Sequence, residues 1–85
     1  MNRRELRRLM ASEDVRDDTF DLEGGNLNEV LSLRPTAGGW LVYFIERGEE
    51  SFERLFDTED EACDFMAVEL LKDPSTRRDW GQRGG

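Results

Sequence analysis

The widest chemical repertoire in this sequence belongs to one thiol and a dense set of carboxylates, and histidine is absent from all 85 residues. Without imidazole the chain lacks the commonest general base and the commonest metal ligand. A Ser-His or Cys-His nucleophile has no partner within one chain. Cys63 is the single cysteine, and it stands beside Ala62 and three residues before Met66. A helix N-terminus can activate a thiol, but these apolar neighbours point to a small buried side chain. Asp57, Glu59, Asp60 and Glu61 form a tight carboxylate cluster. Their spacing does not match a calcium loop, which spreads its ligands over about twelve residues around a central glycine; helix capping accounts for it. Gly24-Gly25 and Gly38-Gly39 lack the pattern and the lysine of a phosphate cradle and read as turns. No two carboxylates are marked as an acid and base facing one another across a pocket. The sequence therefore predicts no catalytic residue, no cofactor, no metal and no enzyme activity.

The elements around these residues follow from periodicity. Residues 2–11 read as a helix: Asn2 caps it, Glu5 follows three residues on, and Leu6, Leu9 and Met10 recur at i, i+3, i+4. Residues 12–28 are polar and turn-rich, with Phe20 and Leu22 alternating in a short extended piece. Three strands are predicted over 28–34, 40–46 and 51–56, with Pro35 ending the first. Residues 36–39 and 47–50 connect them. The middle strand is apolar on both faces, as a covered central strand is. Thr58 to Glu61 opens a second helix, in which Ala62, Cys63, Met66, Ala67, Leu70 and Leu71 share one face and Pro74 stops the helix. The expected fold is α+β, in the order α-β-β-β-α, with a three-stranded antiparallel meander packed by helices. Residues 1–74 are expected to form the single domain and residues 75–85 a flexible basic tail.

Charge is segregated along the chain. The formal net charge is −8; residues 1–10 carry +3 and residues 75–85 carry +2, which leaves −13 on residues 11–74. An acidic body of this kind repels nucleic acid and attracts basic protein surfaces. The element order is shared with the double-stranded RNA-binding domain, which needs basic residues at the start of its second helix. Here those positions are Thr58, Glu59, Asp60 and Glu61, so nucleic acid is not an expected partner. No apolar run reaches the length of a membrane span, and no apolar leader follows the N-terminal arginines. With the single cysteine, this makes the cytoplasm the expected location and membranes an unexpected partner.

Residues 40–48, Trp-Leu-Val-Tyr-Phe-Ile-Glu-Arg-Gly, lead to residues 56–63, Phe-Asp-Thr-Glu-Asp-Glu-Ala-Cys. This stretch resembles a pattern in small uncharacterised bacterial proteins, in which a W-x-V-Y-Y-x-E-R-G strand and turn precede an F-x-S/T-E-x-E-A-C helix start. The glycine turn and its flanks at residues 22–29 look like the same family's approach to its first strand. The likeness spans about residues 20–72 and departs at Phe44 and Ile45, where the family more often has tyrosine and serine. It implies an immunity-like companion of a bacterial toxin, and it supplies no catalytic residues.

Together these readings predict a small acidic protein-binding domain, in particular an immunity-like inhibitor of a basic toxin. The expected contact residues are Glu46, Arg47, Glu49 and Glu50 in the second turn with Glu59 and Asp60 at the helix start, all gathered at one end of the meander. The alternatives are a homodimer that closes a shared core over Trp40, Tyr43 and Phe52, and a small ligand-binding domain. The expected partner is a basic protein or a second copy of the chain.

Overall fold

The computed structural model describes residues 1–79. Its elements run α1 (Arg3–Ser12), β1 (Phe20–Asp21), β2 (Leu31–Thr36), β3 (Gly39–Glu46), β4 (Glu49–Phe56) and α2 (Glu59–Lys72), with single 3-10 turns at Asp17–Thr19 and Pro74–Thr76. The four strands form one mixed sheet in sequence order, and the two helices pack on one of its faces. This is an α+β fold with a largely antiparallel sheet.

Both helices begin where their side chains satisfy their own orphan amides. The Asn2 side chain accepts from the Glu5 N–H at 2.9 Å, and the Asn2 N–H donates back to Glu5 Oε1 at 2.8 Å. Thr58 Oγ1 accepts from the Glu61 N–H at 3.1 Å, and three acidic residues occupy the first turn of α2. Each such cap is worth about 1 kcal/mol. Neither helix is long enough to persist alone, so packing of the apolar stripe holds each in place. Leu6 and Met10 of α1 meet Ala62, Cys63, Met66, Ala67 and Leu70 of α2 in one buried cluster with Val15, Leu22, Leu33 and Val42.

The central strand β3 pairs with β2 through Leu33↔Val42 and Leu31↔Phe44, and with β4 through Val42↔Arg54 and Trp40↔Phe56. Trp40, Val42 and Phe44 therefore face the helices, and Tyr43 and Ile45 face the other way. Tyr43 is fully buried even so. Residues 24–30 fold across that outer face: the Tyr43 hydroxyl donates to the Gly25 carbonyl at 2.6 Å, and Asn28 bridges to Ile45. The Arg34 guanidinium lies 4.6 Å from the Tyr43 ring centroid.

The structure departs from the sequence reading in three places. A fourth strand, β1, pairs in parallel with the start of β2 through Phe20↔Leu31 and Asp21↔Ser32. Pro35 does not end β2 but lies within it, opposite Trp40. With Thr36 and Gly39 closing the hairpin, position 35 falls at a non-hydrogen-bonded pair, so its missing N–H faces away from β3, where β1 has already stopped. The boundary expected at residue 74 falls inside packed structure: Asp73 caps the Pro74–Thr76 turn, and the Arg78 N–H donates to the Asp14 carbonyl at 2.8 Å. The rest of the expected tail, residues 80–85, lies outside the described residues.

Candidate functional site

Six residues were expected to cluster at one end of the meander, and the structure separates them into two groups. Glu46, Arg47, Glu49 and Glu50 surround the β3–β4 turn, whereas Glu59 and Asp60 open α2. Strand β4 carries the chain away from the turn before α2 begins, and eight residues of strand span about 23 Å. Nearness in sequence across an extended strand is distance in space.

The α2 end is occupied by the chain's own cations. Glu59 Oε2 accepts from the Arg3 backbone N–H at 2.9 Å and from Arg3 Nε at 3.2 Å. The terminal amine of Met1 bonds Asp64 at 2.7 Å and lies 3.7 Å from Asp60. The hydrogen bond to Asp64 raises the amine's pKa above its ordinary value. Arg3 also lies 5.2 Å from the Trp40 ring centroid, and Arg7 pairs with Glu23 at 2.6 Å. Arg3 and Arg7 of the basic N-terminus thus fasten α1 to its surroundings. Arg4 and Arg8 stay exposed, with no ion pair among the described residues.

At the turn the balance is reversed. Arg47 and Gly48 both have positive φ (54° and 84°), a type I′ hairpin turn, and the Gly48 N–H is held by Asn28 Oδ1 at 2.9 Å. Glu49 and Glu50 are therefore strand residues, not turn residues as the sequence suggested. Glu46 stands directly opposite Glu49, a like-charge cross-strand pair. Neither makes an ion pair among the described residues. A bulge between Phe44 and Ile45 leaves Ser51 without an opposite residue, so Glu50 follows Ile45 and Glu53 follows Tyr43 onto the outer face. There a hydrogen bond with Glu50 raises the Glu53 carboxyl pKa above its ordinary value, an effect that Arg34 opposes. Arg34 Nη1 reaches Glu50 Oε1 at 3.8 Å. Glu50 and Glu53 thus share the Arg34 guanidinium on the outer face, while Glu46 and Glu49 lie on the helix side; Glu53 is the acid that sequence reasoning missed. The bulge puts it beside Glu50, and nothing in the alternation of residues 51–56 reports a bulge.

Cys63 is fully enclosed, and burial pushes its thiol pKa up to about 11. Among the described residues no three acidic or cysteine side chains converge as a metal cluster, and no helix is long and apolar enough to cross a membrane. A groove of about 390 Å³ runs between the C-terminal end of α2 and the sheet, with Arg16, Glu29, Glu69 and Asp73 along it. Its mixed charges give it no single ligand class. Of the three aromatics expected to close a dimer, Tyr43 is buried by its own chain and Trp40 is partly buried; only Phe52, at 39 %, is exposed.

The fold and this hairpin define an α+β domain with an acidic, exposed hairpin end. No protein-family model, curated protein or solved structure matches the chain.

Proposed function

We propose that this domain binds a basic protein partner through the β3–β4 hairpin, as an immunity-like inhibitor binds a basic toxin. The observation that supports the reading most is the excess of carboxylates beside the turn: Glu46 opposes Glu49 on one face and Glu50 lies against Glu53 on the other, and among the described residues Arg34 is the one cation paired with any of them. Clustered carboxylates without counter-charges raise the local negative potential, and an incoming Lys or Arg relieves their repulsion. The contact set becomes Glu46, Arg47, Glu49, Glu50 and Glu53. Glu59 and Asp60 leave it, because Arg3 and Met1 already engage them.

The test is a calorimetric titration of the domain with the purified basic protein encoded beside its gene. Binding should weaken at least tenfold between about 50 and 300 mM salt, as exposed charge pairs are screened. Replacing Glu46, Glu49 and Glu50 with glutamine should weaken it further and flatten the salt dependence. A genetic neighbourhood without a basic protein, or affinity indifferent to both changes, would overturn the reading.

A further inference from the structure

Strand β4 is the last strand of the sheet, and no strand pairs with its outer edge among the described residues. Seven of its eight residues are exposed and the eighth is half-buried. An edge of this kind presents a row of free N–H and C=O groups, the template on which an extended segment adds. The bulge at Ser51 interrupts the edge near the turn, so the regular stretch is residues 52–56.

The side chains of that stretch show which kind of strand fits. On the helix side, Phe52 stacks on Phe65 with centroids 5.9 Å apart, and Phe56 packs at 5.2 Å from the same ring. Arg54 lies over both Phe56 and Phe65. On the outer side stand Glu53 and Leu55, the latter 54 % exposed, with Glu50 just beyond.

A second copy fits poorly. Antiparallel self-pairing that keeps both faces must set one residue opposite itself. The register that uses all of residues 52–56 sets Arg54 against Arg54. Moving the centre one residue back opposes Glu53 to Glu53, and moving it one residue on opposes Glu53 to Asp57. Each register aligns like charges, which oppose pairing. The charge of the whole chain, −8, adds to that opposition.

We propose that β4 accepts an extended basic segment of the partner as a fifth strand, alternating apolar residues toward Phe52 and Phe56 with Lys or Arg toward Glu53 and Glu50. The inference rests on the basic-partner reading above and names its mode of contact. Backbone hydrogen bonds along residues 52–56 hold the segment, and the carboxylates select its charge.

The probe is the acetylated and amidated hexapeptide Lys-Val-Lys-Val-Lys-Val, beside the same peptide N-methylated at every residue, which keeps the charge and removes the donors. Each is titrated into the ¹⁵N-labelled full chain at low salt. The unmodified peptide should shift the amides of residues 52–56, slow their hydrogen exchange at least tenfold, and bind at least tenfold tighter than the methylated form. Glu53→Lys, at an exposed position, should keep the fold by circular dichroism and weaken the unmodified peptide at least fivefold. Equal binding of both peptides without protection of β4 would overturn strand addition and leave the acidic-surface reading standing. Binding of neither would overturn both. Protection of β4 amides by self-association in the absence of peptide would assign the edge to a second copy instead.

Discussion

The α1–α2 junction and the β3–β4 hairpin are built from the same materials, carboxylates and arginines, and use them in opposite ways. At the junction the chain pairs several of these charges itself: Arg3 on Glu59, the Met1 amine on Asp64, Arg7 on Glu23. At the hairpin, Glu46 faces Glu49 on the helix side, and Glu53 lies against Glu50 on the outer side, where Arg34 reaches Glu50. Charged groups that complete one another hold a fold together, whereas groups that repel one another are kept at some expense to it. The difference places the paired charges at the helix junction and the unpaired acids at the hairpin.

The comparison first depends on the hairpin keeping its shape, and its largest breaking point is Gly39. Its φ of +139° is closed to most side chains, and a Cβ there would collide with the Phe56 carbonyl oxygen on the neighbouring strand. Gly39→Ala should cost about 3 kcal/mol in chemical denaturation, and an unchanged midpoint would show that the β3–β4 pairing is not as described. Next comes the junction. Glu59→Gln removes a charge-assisted contact to both the backbone N–H and the side chain of Arg3, and should lower stability by about 1 kcal/mol. No loss would mean that these charges, too, are free for a partner.

The smaller effects concern the turn and its acids. Arg47 holds a positive φ that asparagine adopts more readily, so Arg47→Asn should raise stability by about 0.5 kcal/mol. The Glu53 carboxyl, bonded to Glu50, keeps its proton to higher pH when folded than when unfolded. The folded state then binds more protons between the raised value and the ordinary one near 4.5. Stability from this pair is therefore present at low pH and declines as pH rises through the raised folded value. Glu53→Gln should remove that slope in a denaturation series across the acid range; a slope that persists would assign it to another group.

Much of this fold is legible in the sequence, for identifiable reasons. Thr58 with Glu61, and Asn2 with Glu5, are local capping patterns, and the stripe from Ala62 to Leu70 repeats long enough to define a face. Strand β1 is two residues long, too short to show a period, and its parallel partner lies across an irregular loop. Pro35 reads as a strand end because proline cannot donate, and only the hairpin register shows that no donor is needed there. The alternation of Phe52, Arg54 and Phe56 suggests a half-buried strand, yet β4 is exposed along all but Phe56, with Phe65 of α2 packing on Phe52 and Phe56. Of the candidate contact residues, the acids of the turn are near one another in both chain and structure, whereas Glu59 and Asp60 are near them only in the chain. The pairing of Glu59 with Arg3, 56 residues away, is a tertiary contact that no local pattern announces.

The most direct test sets the two ends of the molecule against each other in one experiment. Stability by denaturation and affinity for the Lys-Val hexapeptide are measured for Glu59→Gln and for the double variant Glu49→Gln, Glu50→Gln. The account predicts that Glu59→Gln loses about 1 kcal/mol of stability and keeps its affinity. The double variant should keep its stability to within about 0.5 kcal/mol and lose affinity at least fivefold. The reverse assignment, with binding lost at the junction and stability lost at the hairpin, would contradict it.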